Sequence, residues 1–130
     1  MEPALFQEIS RLANEALEAD RYADAISLWK TLLVTFPAPR TAWARAGICL
    51  CGIGEAYFRQ EKFADARIWF EQAVSCPVSV EHPSSAAFYN LRLGSCWFEL
   101  KHTDKALPYL KVAFKQGGKE LFQWENPAYL

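Results

Sequence analysis

Apolar and polar positions along this chain alternate with the period of an α-helix. Three segments, residues 23–33, 64–74 and 104–114, each place a small residue, a large apolar residue four positions later and another apolar residue three beyond that. Offsets of four and three put these side chains on one face of a helix. The triplets are Ala25, Trp29 and Leu32; Ala66, Phe70 and Ala73; and Ala106, Leu110 and Ala113. Small residues on such a face let a second helix approach closely.

A second helical pattern precedes each of these segments. The pattern apolar-Gly-x-x-aromatic occurs at residues 53–57 and at residues 93–97, each time with its glycine twelve residues before the alanine that follows. In the first copy, at residues 12–16, alanine replaces the glycine. A glycine inside a helix costs about 1 kcal/mol relative to alanine. Its recurrence at Gly54 and Gly94 therefore predicts close contact between helices.

The two patterns together predict an all-α fold of six helices paired into three helix–turn–helix units. The predicted helices cover about residues 4–18, 21–36, 41–60, 63–76, 84–101 and 104–116. Asp20, and Thr103 or Asp104, are the expected N-caps of second helices. Gly117-Gly118 is expected to end the sixth helix.

The repeated units resemble the tetratricopeptide repeat, whose signature of about 34 residues reads W-x2-L-G-x2-Y, then A-x3-F, then P. The resemblance implies a single domain, residues 1–130, with units at about 4–37, 41–77 and 84–117 in a right-handed superhelix and a C-terminal cap at 118–130. The spacing departs from the family, because Ala25 and Ala66 are 41 residues apart and Ala66 and Ala106 are 40 apart. Longer first helices and longer connectors are expected to hold the excess.

The first helix of each unit lines an inner groove in that family, which implies a set of partner-binding positions here. The first unit offers polar residues, whereas the second and third carry an apolar stripe, which we expect Trp43 to extend. The positions are Gln7, Ser10, Asn14, Leu17 and Glu18; Ile48, Cys51, Glu55, Phe58 and Arg59; and Phe88, Leu91, Ser95, Phe98 and Glu99. An apolar stripe rimmed by Glu55, Arg59, Arg92 and Glu99 is typical of a protein-binding groove. The alternative is that other helices or the tail bury these aromatic residues.

The C-terminal stretch, KELFQWENPAYL, is too aromatic to be a free linker. Phe122, Trp124 and Tyr129 are expected to fold back over the last unit, because a terminal repeat otherwise leaves an apolar face open. The alternative is that these three side chains form a strip that contacts the partner.

Composition and charge narrow the classes of partner. The formal net charge is −1, so no global positive field favours nucleic acid or anionic lipid. We find no secretory signal and no apolar run of membrane-spanning length. The four cysteines, Cys49, Cys51, Cys76 and Cys96, have no zinc-site spacing and are interpreted as free thiols in a reducing compartment. We therefore expect a cytoplasmic protein.

Candidate catalytic chemistry is sparse. The two histidines, His82 and His102, have no Ser, Cys or carboxylate at a spacing that indicates a nucleophile–base pair. The sequence holds neither a Gly-rich phosphate loop nor an HExxH motif. A non-enzymatic protein without cofactor or metal is therefore expected.

The chain is also similar to short bacterial three-repeat tetratricopeptide proteins with an acidic, aromatic tail, here residues 124–130. This similarity implies an immunity-type protein that binds and neutralises a cognate toxin or effector domain. The alternative is a secretion chaperone or an assembly adaptor that holds an effector segment in the groove, and self-association would suit the adaptor. An adaptor for chaperone tails is disfavoured, because only Arg59 and Asn14 could belong to its clamp of Lys, Arg and Asn.

Overall fold

The computed structural model describes residues 3–78, 85–122 and 125. They contain six α-helices and no strand, which confirms the all-α repeat fold. The helices are α1 (Pro3–Glu18), α2 (Tyr22–Leu33), α3 (Ala44–Arg59), α4 (Phe63–Val74), α5 (Ser85–Glu99) and α6 (Thr103–Phe122). Each helix packs against the next along the chain, so that the hairpins α1–α2, α3–α4 and α5–α6 stack in order. No helix in the described ranges is both long and apolar enough to cross a bilayer.

Each hairpin turns at one residue whose backbone is left-handed. Asp20, Glu61 and Lys101 have φ angles of 60°, 60° and 69°. In every turn the N–H of this residue donates to the carbonyl three positions back, and the next N–H donates to the carbonyl five positions back. These two bonds form a Schellman cap, which satisfies the last carbonyls of the first helix. The same backbone device therefore closes all three units.

The predicted N-caps are wrong. Asp20 occupies the left-handed position, and Arg21 is the residue that precedes α2. The Asp20 carboxylate instead accepts a hydrogen bond from the Tyr22 hydroxyl at 3.0 Å. Thr103 and Asp104 lie inside α6, since that helix already begins at Thr103.

The last helix is interrupted where the sequence predicts its end. Gly118, at φ 69° and ψ −168°, is not helical. The stretch named α6 is therefore two helical segments joined at a kink, of which the second reaches Phe122. Glycine adopts this backbone at little cost because it has no Cβ.

The extra length relative to the family repeat lies between the hairpins. The first helices are of ordinary size, with 16 residues in α1 and α3 and 15 in α5. Residues 34–43 connect α2 to α3, and ten positions of the sequence separate Val74 of α4 from Ser85, the first described residue of α5. Trp43 belongs to the first connector: its backbone is extended, its indole N–H donates to the Pro37 carbonyl at 2.9 Å, and its ring packs near Phe36. Contrary to the prediction, Trp43 therefore does not extend the α3 face.

The core forms where small residues meet large ones. All members of the three aligned triplets are buried. A Cβ added at Gly54 would lie 3.0 Å from the Phe70 ring, and one added at Gly94 would lie 2.8 Å from the Leu110 side chain. Each signature glycine therefore makes room for the large residue of its own second helix, as the recurrence of the glycines predicts.

Replacing Glu61 with glycine is expected to raise the free energy of unfolding by roughly 0.5 to 1 kcal/mol, since a left-handed backbone costs a residue with a Cβ about 1 to 2 kcal/mol and glycine loses more entropy on folding. Lys62→Gly is the control, because Lys62 has φ −90° and gains nothing from the change. Urea denaturation measures both variants. An equal change in the free energy of unfolding of Glu61→Gly and Lys62→Gly would contradict backbone strain at Glu61.

Candidate functional site

One face of the hairpin stack carries a groove along α1, α3 and α5, called the inner groove below. Its first half, between α1 and the start of α3, has a volume of about 790 Å³. Its second half, between α3 and α5, has a volume of about 520 Å³. Asn14, Glu18, Trp29 and Ile48 border both halves. The two halves therefore form one continuous surface across the three units.

Most residues that the sequence assigns to the groove border it. The first-unit residues that do so are Gln7, Ser10, Asn14, Leu17 and Glu18. The later units contribute Ile48, Cys51, Glu55, Arg59 and Phe88. The structure thus brings residues from three separate helices to one surface.

The remaining predicted positions support this surface from below or from its end. Leu91 and Ser95 are 0% exposed, and the Ser95 hydroxyl donates to the Leu91 carbonyl at 2.7 Å. Phe98 packs on the core of the third unit, and Glu99 is half-buried as the last residue of α5. Side chains buried like Leu91 and Ser95 do not reach a ligand in this conformation.

A buried ion pair lies where the sequence predicts a charged rim. Nε and Nη2 of Arg92 donate to the two carboxylate oxygens of Glu55 at 2.6 and 3.1 Å. Glu55 is 7% and Arg92 8% exposed. The guanidinium lies 4.4 Å from the centroid of the Phe58 ring and 4.7 Å from that of Phe88. Glu55 borders the second half of the groove and Arg92 is buried against it, so the two residues do not form an exposed rim, which corrects the prediction.

Further carboxylates extend this pair into a network across the units. Nη1 of Arg92 donates to Glu125, beyond the end of α6. Nε of Arg59 donates to Glu55 at 3.3 Å, and its Nη1 donates to Glu18 of α1 at 3.2 Å. Burial alone lowers the pKa of Arg92, but hydrogen bonds and charges from Glu55 and Glu125 outweigh it and raise that pKa above its usual value. Arg92 is therefore a permanent cation beside the groove, in contact with Glu55.

Trp29 is the groove residue whose role the sequence hides, because its place in the apolar triplet indicates only a core position. It is 2% exposed, yet it borders both halves of the groove. A Cβ added at Gly52 would lie 2.4 Å from the indole Nε1, so Gly52 makes room for the edge that carries the N–H. This N–H and the Ser10 hydroxyl are buried, with no hydrogen-bond partner among the described residues. Gly52, two positions before the signature glycine, is the sequence signal that could have revealed this contact.

The structure describes only part of the C-terminal stretch for which the sequence predicts a cap. Phe122 is 4% exposed, lies 5.8 Å from the Phe114 ring, and packs on the core of the third unit. Its position agrees with the predicted cap. Leu121 borders the second half of the inner groove. The predictions for Trp124 and Tyr129 fall outside the described residues.

The cysteines have the properties of unreactive thiols: Cys49 and Cys96 are buried, and Cys51 and Cys76 are partly buried. All four are free thiols. Burial raises the pKa of Cys49 and of Cys96 to about 12, and it also raises the pKa values of Cys51 and Cys76. A thiol with a raised pKa stays protonated at neutral pH and is a weak nucleophile. This chemistry argues against a catalytic thiol in the groove.

The hairpin geometry agrees with a comparison against known protein families. The Tetratricopeptide repeat model matches residues 10–86, which is more than half of the chain. The chain belongs to the tetratricopeptide repeat family. A search of curated proteins gave no match to the sequence. The third hairpin of this tetratricopeptide repeat (TPR) protein lies largely beyond the matched range, but it has the same left-handed turn at Lys101 and the same glycine contact at Gly94.

Replacing Glu55 with glutamine is expected to lower the free energy of unfolding by about 3 kcal/mol, the low end of the range for breaking a buried ion pair, because Glu125 stays as the counter-charge of Arg92. Glu71→Gln is the control: it breaks the partly exposed Arg67–Glu71 pair, which should cost less than about 1 kcal/mol. Chemical denaturation gives both values. Similar losses in the two variants would contradict the special position of the Glu55–Arg92 pair.

The raised thiol pKa values make a second prediction for this TPR protein. At pH 8, alkylation of Cys49 and Cys96 in the native protein is expected to be on the order of 1,000-fold slower than after unfolding, because the thiolate fraction falls with the shift from about 8.5 to about 12. The native rate should rise with pH beyond pH 8. Iodoacetamide labelling with peptide mapping measures each site, and equal rates in the native and unfolded protein would contradict it.

Proposed function

We propose that this TPR protein is a non-enzymatic binding module that seats a segment of a partner protein in the inner groove. TPR domains in general bind other proteins. The observation that carries the proposal is the continuous groove itself, which combines apolar walls with a few fixed polar groups. This combination is typical of binding sites.

The polar groups of the groove are suited to a polypeptide main chain. The Asn14 side chain is exposed at the junction of the two halves. Its amide offers an oxygen that accepts and an NH₂ group that donates, so it can pair with both polar groups of a main chain. The Trp29 N–H and the Ser10 hydroxyl are buried and take no part in this contact.

The apolar and charged parts of the groove are suited to side chains of the same segment. Ile48 and Phe88 are half-buried, and each keeps part of its surface in the groove. The network Glu18–Arg59–Glu55–Arg92 links the first helices of the three hairpins. A surface fixed in this way before binding loses little entropy when the partner arrives. This preorganisation supports a tight, stoichiometric complex.

We propose that the partner is a toxin or effector domain, and that the chain is an immunity-type protein that acts by occluding it. Occlusion requires a rigid surface that is complementary to the partner, and it requires no catalytic residue. The preorganised groove supports the first point, and the protonated, unreactive thiols support the second. The four free cysteines support a reducing, cytoplasmic location, because disulfides form and persist in oxidising compartments.

Asn14→Arg tests the proposal, because it places a long cation in the middle of the groove at an exposed position. Ser27→Arg is the matched control on the exposed face of α2. Tagged wild-type and Ser27→Arg chains are expected to retain one stoichiometric partner from a native lysate, and Asn14→Arg is expected to retain at least tenfold less. All three chains must first show the same helicity and melting temperature.

Co-expression then tests the immunity role. The captured partner alone is expected to arrest growth, and the wild-type chain, but not Asn14→Arg, is expected to restore it. A partner retained by Asn14→Arg would contradict the groove as the site. A harmless, secreted partner would contradict the immunity role and favour the chaperone function.

A further inference from the structure

The contact between Glu125 and Arg92 is separate from the packing of the repeats. Glu125 lies beyond the last helix, and its carboxylate reaches back to Nη1 of a side chain in α5. The side chains of Arg92 and Glu125 are 9% and 17% exposed. Arg92 already has both carboxylate oxygens of Glu55 as acceptors. Glu125 is therefore an additional carboxylate on a guanidinium that the fold holds in place without it.

The surroundings of Nη1 form a binding site for a carboxylate. The rings of Phe58 and Phe88 flank the guanidinium at 4.4 and 4.7 Å, which restricts its plane, and Glu55 fixes its opposite edge. The Nη1 edge therefore presents donors in one direction. A guanidinium fixed in this way matches a carboxylate in geometry as well as in charge.

The site also lies beside the inner groove. Glu55 and Phe88 border the second half of the groove, as does Leu121, which precedes Glu125 by four residues. Phe122 anchors the base of this segment, since it is buried and its carbonyl accepts the Glu125 N–H at 3.0 Å. Glu125 could leave Arg92 while Phe122 stays in the core.

The charges in this network agree with an exchangeable Glu125. Within the described part of the chain, the ion pairs that we find link two cations, Arg59 and Arg92, to three carboxylates, Glu18, Glu55 and Glu125. Departure of Glu125 leaves two charges of each sign, but Nη1 of Arg92 then needs another acceptor, because an unsatisfied buried charge is costly. A carboxylate from a bound partner would supply it.

We propose that Nη1 of Arg92, between Phe58 and Phe88, is the subsite of the groove that binds an acidic side chain of the partner, and that Glu125 occupies it in the free protein as an internal competitor. This inference rests on the proposed function, since it names the chemistry of the segment in the groove. The partner segment carries Asp or Glu at the position where Glu125 lies, with an aromatic or aliphatic neighbour against Phe88. A tethered competitor acts at a high effective concentration, on the order of millimolar, and therefore weakens every acidic ligand of the site.

The test uses full-length chains and a fluorescein-labelled, amidated synthetic peptide with the sequence of residues 123–130, QWENPAYL. Glu125→Gln removes the competing charge and keeps the side-chain size. Glu120→Gln is the matched control, an exposed carboxylate of the same segment. Fluorescence anisotropy is expected to give at least tenfold tighter binding to Glu125→Gln than to the wild type or to Glu120→Gln. A peptide with glutamine in place of its glutamate should lose this gain.

Three results would overturn the inference. The first is equal affinity of the three chains for the peptide, and the second is equal binding of the glutamate and glutamine peptides to Glu125→Gln. The third is a large fall in the melting temperature of Glu125→Gln without peptide binding, because Glu125 would then only stabilise the fold. The proposed function has a separate test. If Asn14→Arg loses the partner, binding in the groove is supported, even when the peptide experiment shows no replacement of Glu125 at Arg92.

Discussion

The ion pair between Glu55 and Arg92 determines the shape and the electrostatics of the inner groove. It joins α3 to α5 directly through two hydrogen bonds, whereas each hairpin otherwise packs mainly on its neighbour through the intervening second helix. Arg59 and Glu18 continue the connection to α1. Buried ion pairs are weak sources of net stability because desolvation offsets their attraction. We therefore interpret this pair as a device that fixes the relative positions of three hairpins and orients Phe58 and Phe88.

Two backbone features bring the helices close enough for their side chains to interact. The left-handed turns at Asp20, Glu61 and Lys101 return each second helix against its first helix in the same way. Gly52, Gly54 and Gly94 then remove the Cβ atoms that would collide with Trp29, Phe70 and Leu110. Trp29 thereby packs the edge of its indole ring against Gly52 of the next hairpin, where its N–H is buried. The close packing of the first two units therefore depends on the missing Cβ of Gly52.

The sequence predicted the fold well because the fold follows from periodic burial. Recurring alanines and glycines at fixed offsets located all six helices and their order, and one family model then confirmed the repeat. The ends of the helices were less predictable. A non-glycine residue in a left-handed turn, such as Glu61, leaves no signal in composition. Trp43 continues the helical pattern of α3 in sequence, although its own backbone is extended.

The sequence predicted which face of each first helix borders the groove, but it did not predict how deeply each side chain is buried. Helical spacing correctly grouped Ile48, Glu55 and Phe88, but it does not distinguish an exposed charge at the rim from a buried one. That distinction depends on a partner 37 residues away along the chain, Arg92 for Glu55. The position of Glu125 is likewise a tertiary contact, which no local pattern encodes. Long-range pairing of charges is thus the part of this site that local sequence patterns do not specify.

Hydroxyl-radical footprinting of the chain alone and in complex with its captured partner tests the central claim, that the inner groove is the protein-binding surface. It compares the reactivity of individual side chains on the two faces. Ile48 and Phe88 are expected to lose reactivity in the complex, whereas Val34 and Ile68, which are 64% and 47% exposed on the second helices and their ends, should keep theirs. Protection of Val34 and Ile68 with unchanged Ile48 and Phe88 would contradict the account.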